Sequence, residues 1–258
     1  MTESLTGYFR DRVADAGLEQ SAELLAETAS ALGWDLAAFH PNVQDDDLVR
    51  GQGGEYVARR MGWPVDYLSG WKDRKVNRYC PVSERCQRTG EPFVWLADAT
   101  AESWHGQPLL EEHRQALNYY RECVAGALTV PVHRPGARVG YVSWFASDLT
   151  FLRTLTADHH ETAYLVSHWL IQHVDQMGEG GAAVEAELTE RLQSLTEREL
   201  ECLFWAARGK TEEEVGMIIQ RSQATARFHL RNAMRKLDAS NRTHAVAKAC
   251  SLGLIRVL

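Results

Sequence analysis

A chain of 258 residues, 45% hydrophobic and 24% charged, has the make-up of a globular protein and the length of one large domain or two ordinary ones. No apolar run approaches the ~18 residues a membrane helix needs, and the opening MTESLTGYFRDRV carries charge where a signal peptide has its apolar core, so a cytoplasmic location without membrane partners is expected. The net charge of −7 is unevenly spread: residues 191–258 hold 12 Lys/Arg against 7 Asp/Glu, whereas residues 1–190 hold 16 against 28, the footprint of nucleic-acid binding confined to one module.

Along the chain, residues 20–33 place Leu24, Leu25 and Leu32 at helical spacing. Residues 34–40 and 52–58 read as short strands, and 81–90 as a helix. ALTVPVH (127–133) and VGYVSWFAS (139–147) read as strands joined by the turn signal Arg134-Pro135-Gly136. Residues 157–176 form a long helix with Leu165, Trp169 and Leu170 on one side. Helices packed on an antiparallel sheet make an α+β domain over residues 1–176. The stretch from Met177 to Ala183 has three glycines and no large aliphatic residue, so residues 177–190 are expected to be a linker.

Residues 191–258 read as an all-α module. Thr196 with Glu199, and Thr211 with Glu214, have the spacing of capping boxes. Leu200, Leu203, Phe204 and Ala207 mark one face of the first helix, and Gly209 ends it. Val215, Ile218 and Ile219 supply the apolar face of a short second helix. Ser222 caps a third, buried along Ala226, Leu230, Ala233 and Leu237. A fourth carries Ala245, Val246, Ala249 and Cys250. The third helix also presents Arg227, Phe228, Arg231 and Arg235 on a second face. A tight turn between helices two and three is the helix-turn-helix pattern, whose second helix enters the major groove. Arginine suits guanine edges and phosphates alike. By charge and periodicity alone, a helical bundle with a solvated basic face fits too.

The stretch from LTERELECLFWAARGKTEEEVGMII to SNRTHAVAKACSLGLI resembles the DNA-binding domain of the LuxR family. The resemblance rests on Leu195-Thr196, Arg198-Glu199, Gly209-Lys210-Thr211, Thr225, His229-Leu230, Lys236-Leu237, Asn241-Arg242 and Ala245-Val246. It implies a four-helix module that binds double-stranded DNA as a homodimer through Thr225, Arg227, Phe228, Arg231, Arg235 and Arg242. Two features depart from the family. Gln220-Arg221 stands in the turn in place of Gly and an apolar residue, and Glu212-Glu213-Glu214 opens the second helix, where carboxylates suit the helix dipole but repel phosphate. A member impaired in DNA binding, acting by pairing with another regulator, is the alternative these departures raise.

Upstream, Trp63-Pro64, Tyr67, Trp71, Cys80-Pro81-Val82, Pro92-Phe93, Trp95 and Leu128-Thr129-Val130-Pro131 resemble the family's autoinducer-binding domain over roughly residues 20–172. The resemblance implies an α-β-α sandwich that holds an acyl-homoserine lactone beside the sheet, with Trp63, Tyr67, Trp71, Cys80, Trp95 and Ser143 at the ligand positions. Only Trp95 and Ser143 match as they stand. The family motif Tyr-Pro-x-x-Trp-x-x-x-Tyr has become Trp63, Tyr67 and Trp71, and a family glycine is Ala127. The Asp that accepts the ligand's amide N–H is Cys80. A thiol is a poor acceptor, and losing a charged acceptor weakens a lactone by about 10- to 150-fold if nothing replaces it. Three readings stay open: a different small molecule, aromatic or amide-free; a pocket filled by its own rings that needs no ligand; or a lactone held by compensating contacts. The aromatics also fit a plain core.

His159, His160, His168 and His173 lack metal-ligand spacing, and the five cysteines form no CxxC pair, so no metal or cofactor is expected. Cys80 and Cys86 read as buried thiols. No nucleophile elbow, P-loop or paired catalytic carboxylates support an enzyme.

Overall fold

The computed structural model describes residues 4–45, 47–73, 76, 79–135, 138–177 and 194–255. Contacts divide the chain into two compact units that part near residue 178. Residues 178–190 of the expected linker, and Gly136 of the expected hairpin turn, lie outside the described residues.

The first unit runs α1 (Leu5–Val13), α2 (Leu18–Ala31), β1 (Leu36–His40), a 3-10 turn (Val57–Met61), α3 (Val65–Asp73), α4 (Pro81–Arg88) and β2 (Phe93–Leu96). It continues through β3 (Ser103–Trp104), β4 (Gln107–Pro108), α5 (Glu111–Arg121), β5 (Gly126–Arg134), β6 (Arg138–Ala146), α6 (Leu149–Arg153) and α7 (Ala157–Met177). Four strands form an antiparallel sheet in the order β1-β6-β5-β2. The largely apolar runs of β5 and β6, interrupted by Thr129 and Ser143, are buried on both faces, as a sheet covered on two sides requires. Trp144 and Phe145 show the alternation. The Trp144 indole donates to Ser167 Oγ on α7 at 3.2 Å, whereas Phe145 packs on Trp63, Trp95 and Tyr120 across the sheet. The expected α-β-α sandwich is the observed architecture.

Two expectations need correction. Residues 52–58 form no strand: Arg50 and Tyr56 make an isolated bridge, after which the chain enters the 3-10 turn. Gly54 at φ 79° reverses the chain there, and Arg50 closes the loop on the Gly54 carbonyl (2.8 Å) and the Tyr56 hydroxyl (2.5 Å). On α7 the buried face is Ala163, Val166, Ser167, Leu170, Ile171 and Val174. Leu165 is exposed and Trp169 half-buried, because a small-residue face lets the helix lie close against Trp144.

Among the described residues the second unit holds α8 (Glu197–Ala207), α9 (Glu212–Ile218), α10 (Gln223–Lys236) and α11 (Arg242–Ser251). All four helices open on a side-chain cap, Thr196, Thr211, Ser222 and Asn241. The core of α10 is as expected, but α8 buries Cys202, Leu203 and Ala206 and leaves Leu200, Phe204 and Ala207 half-buried. Phe204 instead lies under the Arg208 guanidinium, 4.2 Å from its ring centre. Ile218 and Cys250 are exposed, and Val246 is half-buried. No helix among the described residues is long and apolar enough to cross a membrane.

Candidate ligand site and DNA-reading helix

Tyr67 and Trp71 lie one turn apart on α3, and Trp63 stands two residues before its start, so the three rings gather on the side turned to the sheet. Tyr67 stacks on Trp63 (centroids 5.2 Å) and on Tyr119 of α5 (4.3 Å), and Trp71 meets Tyr120 edge-on at 5.3 Å. Trp95 from β2 closes on Tyr120 at 5.1 Å and on Phe145 at 6.1 Å. Such pairs each add about 0.5–1.5 kcal/mol beyond the area they bury.

The rings leave little room. A cavity of about 20 Å³ remains, lined by Phe39, His40, Trp63, Trp71, Tyr120 and Tyr141 among others. That is space for one water, against the several hundred Å³ usual for a small-molecule pocket. A wider open groove of about 550 Å³, beside Leu96, Arg121 and Glu122, includes none of the six expected ligand residues.

Polar atoms around the rings fall into two classes. The Trp63 indole donates to the Ala37 carbonyl at 2.7 Å. The Trp95 indole donates to Thr129 Oγ1 at 2.8 Å, and Thr129 meets Ser143 Oγ at 2.7 Å, a buried chain across β2, β5 and β6. By contrast, the Tyr67 hydroxyl and the Trp71 indole N–H are buried without a hydrogen-bond partner among the described residues. An unsatisfied buried donor costs about 1–3 kcal/mol, so both favour an added acceptor. Burial pushes the Tyr67 phenol far up, keeping it a neutral donor.

Cys80 sits where α4 begins and is fully buried. Its thiol donates to the Tyr120 hydroxyl at 3.7 Å. Burial raises its pKa against the opposing hydrogen bonds of Ser83 and Tyr120, so it presents no negative charge. Cys86 is likewise buried and pushed well up.

In the second unit, α9 and α10 meet at a turn that depends on Gly216. A Cβ there would come within 3.0 Å of the Arg221 carbonyl oxygen and the Gln223 backbone nitrogen. Gln220 takes the left-handed conformation (φ 55°) that favours glycine, and Arg221 points to solvent. The departure at 220–221 therefore strains one residue and leaves the turn intact.

Arg227, Phe228, Arg231 and Arg235 are all exposed on α10, with Thr225 half-buried at its first turn. Arg227 is already engaged: its Nε lies 2.7 Å from Glu212 Oε2 at the start of α9. Arg242 stands apart from this face. It donates to the carbonyls of Lys210 and Ala206, tying α11 to the end of α8. Behind α10, Lys236 Nζ reaches Glu199 at 2.7 and 3.0 Å, and Glu199 also takes the Thr196 N–H at 2.8 Å. Burial pushes the Glu199 carboxyl up, but the Lys236 and Thr196 bonds outweigh it and hold the pKa below its ordinary value.

The structure brings Trp63 and Trp71 to the cavity and sets Tyr67, Cys80, Trp95 and Ser143 in the layer around it. Sequence reasoning missed Tyr119, Tyr120 and Phe145, which complete the ring cluster. The adjacent tyrosines ending an amphipathic helix were the available signal. It also missed that Glu212 faces Arg227.

Comparison with known proteins gives the same picture. A family model for bacterial regulatory proteins of the luxR family matches residues 193–249, and one for the autoinducer binding domain matches residues 17–174. The quorum sensing-dependent transcriptional regulator RpaR of Rhodopseudomonas palustris is 32% identical over 196 residues, 76% of this chain and 74% of that protein. VjbR of Brucella ovis, also a quorum sensing-dependent transcriptional regulator, is 52% identical over 61 residues, 24% of each chain. The crystal structure of SdiA from Escherichia coli shares the fold, with a TM-score of 0.61 at 18% identity over 98% of this chain and 99% of that one. A second SdiA structure, in complex with octanoyl-rac-glycerol, matches with a TM-score of 0.57 at 18% identity, over 97% of this chain and 95% of that one. This chain belongs to the LuxR family: it is a transcription regulator in which an autoinducer-binding domain precedes a DNA-binding helix-turn-helix.

Proposed function

We propose that this regulator works in the cytoplasm as a homodimer on double-stranded DNA, and that its first domain answers to a small molecule without an amide N–H. The observation that carries the reading is Cys80, a buried neutral thiol that already donates to Tyr120 where the family places the carboxylate acceptor. The two unsatisfied groups nearby, the Tyr67 hydroxyl and the Trp71 indole, are both donors. They suit a ligand rich in acceptors, such as an ester or ketone. SdiA supplies a precedent, since octanoyl glycerol is an ester with no amide. Thr225, Arg227, Phe228, Arg231 and Arg235 are the DNA-facing set. Arg242 serves that set by holding α11 against α8.

A second reading has its own observation. The aromatic rings leave a cavity of only about 20 Å³ between them, as in a domain that folds and signals without a ligand.

Thermal shift separates these readings. Ligand at a hundredfold excess over Kd stabilises by about 2.7 kcal/mol, a shift of several degrees. Octanoyl glycerol should raise the melting temperature, and octanoyl-homoserine lactone should not. Cys80→Asp should restore lactone binding if the rings can part, and destabilise the protein if they cannot. A strong shift of the unmodified protein with the lactone sinks the reading. No shift with either compound, together with unchanged DNA affinity, favours the ligand-free regulator.

A further inference from the structure

Outside the aromatic cluster, α4, the β3–β4 hairpin and the start of α5 enclose a cleft of about 150 Å³. That is below the roughly 300–1,000 Å³ of pockets for drug-sized ligands, so the cleft suits a small organic acid. Two of its walls carry unsatisfied donors. Trp104 is 8% exposed and its indole N–H has no partner among the described residues. Arg85 has its Nε buried without an acceptor, and its recorded contact is with the Phe93 ring, 4.8 Å from the guanidinium. Phe93 also meets Trp104 edge-on at 6.1 Å, so the same ring backs both donors.

The remaining charges are spoken for. His113 Nδ1 accepts the Leu110 N–H, which leaves the proton on Nε2 to bond Glu84 at 3.1 Å. The other Glu84 oxygen lies 3.7 Å from Arg88. Glu84 is thereby occupied, and Arg85 remains as a cation awaiting an anion. The hairpin adds a ring at the mouth. Its two turn residues, His105 (φ 48°) and Gly106 (φ 78°), both have positive φ, the two-residue turn that usually opens on Asn, Asp or Gly. Here it opens on a histidine, whose ring sits edge-on to Trp104 at 4.5 Å.

We propose that this cleft is a second effector site, taking a small aromatic carboxylate whose carboxylate is held by Arg85 and the Trp104 N–H. Trp104 and His105 frame the ring, with Pro81 and Leu109 as apolar walls, and Phe93 packs behind Trp104 and Arg85. Trp104 also touches Trp95, at 6.4 Å, so an occupant would press on the aromatic cluster of the first domain. The proposal goes beyond the amide-free ligand and does not depend on it.

Benzoate is the probe, titrated calorimetrically into the full-length protein at constant ionic strength, with benzamide and sodium sulfate as controls. Benzoate should bind once per chain with sub-millimolar to millimolar affinity, and neither control should compete. Arg85→Met keeps the stacking on Phe93 and should weaken benzoate about tenfold or more, the worth of a charge-assisted bond. Trp104→Phe should weaken it several-fold. Trp71→Phe, in the aromatic cluster, should leave it unchanged. Melting temperatures without ligand identify any variant that fails to fold, and Trp104→Phe then carries the test alone. The proposal is overturned if benzoate shows no heat up to about 10 mM, if benzamide or sulfate binds as well, or if a folded Arg85→Met or Trp104→Phe variant keeps full affinity. Loss of binding in Trp71→Phe alone would assign the benzoate to the aromatic cluster and equally overturn it.

Discussion

In the second unit each of the four described helices opens on a side-chain cap, whereas in the first α2, α4 and α5 begin at Gly17, Cys80 and Leu110 with no oxygen-bearing cap. The cores differ in the same direction. The helix-turn-helix unit buries mostly Ala and Leu, and the regulatory unit buries a block of Trp, Tyr and Phe. A four-helix module of about 60 residues has little interior, so local terms of about 1 kcal/mol per cap matter there. The larger unit draws its stability from long-range aromatic packing. The contrast extends to what each unit must recognise. The shape of B-DNA is common to all targets of a helix-turn-helix. A ligand pocket has no such fixed partner, and on the proposed reading its polar anchor here is a thiol.

The largest expected effect lies in the aromatic block. Trp63→Ala removes a ring that touches Tyr67 and Phe145, together with the bond to Ala37, and should cost about 3–5 kcal/mol. Denaturant unfolding should show the loss in the transition of the first unit. A loss below about 1 kcal/mol would mean that the block is loosely packed and the contrast with the second unit is false.

Next comes the Glu199–Lys236 pair. Lys236→Met strands a buried carboxylate and should cost about 3 kcal/mol near neutral pH. In the unmodified protein the Glu199 pKa is depressed, so its stabilisation is complete above the ordinary glutamate value and is lost as pH falls through the folded value. The penalty of Lys236→Met should therefore shrink in acid, where Glu199 is protonated. A penalty independent of pH between about 3 and 7 would remove the carboxylate from the account.

The arginines proposed to face DNA should separate. Arg231→Ala should cost about 1–3 kcal/mol of operator binding if it reads a base. Arg227→Ala should cost less, because Arg227 must first release Glu212. Glu212→Gln should raise affinity and steepen the salt dependence by adding a free cation. Gel shifts across a salt series measure all three, and equal losses for the two arginines, with no effect of Glu212→Gln, would show that the ion pair does not compete with DNA.

The smallest effect is at the turn. Gln220→Gly relieves a left-handed residue and should stabilise the second unit by about 0.5–1 kcal/mol without changing DNA affinity. A destabilised variant would mean that the glutamine side chain holds the turn.

The capped helices and the α10 core were legible because capping boxes and i, i+4 spacing are local. The arrangement of strands was nearly so, since β5 and β6 are largely apolar runs. Residues 52–58 misled because alternation there competes with Gly51, Gly53 and Gly54, and glycines turned the chain. The faces of α7 and α8 were misread by a residue or so. Periodicity gives the width of an apolar stripe, but the neighbour decides which edge of it is covered.

The amino-acid sequence alone determined the family, the two-part organisation and the basic helix of the second part, all of which are properties of residue type and short spacing. Only the tertiary structure decided that Cys80 bonds Tyr120, that Tyr119, Tyr120 and Phe145 fill the space beside Trp63 and Trp71, that Glu212 holds Arg227, and that Arg85 and Trp104 share a cleft. Each of these joins residues from different elements. Cavity volume and donor satisfaction depend on where side chains from separate segments meet, and no spacing along one segment encodes that meeting.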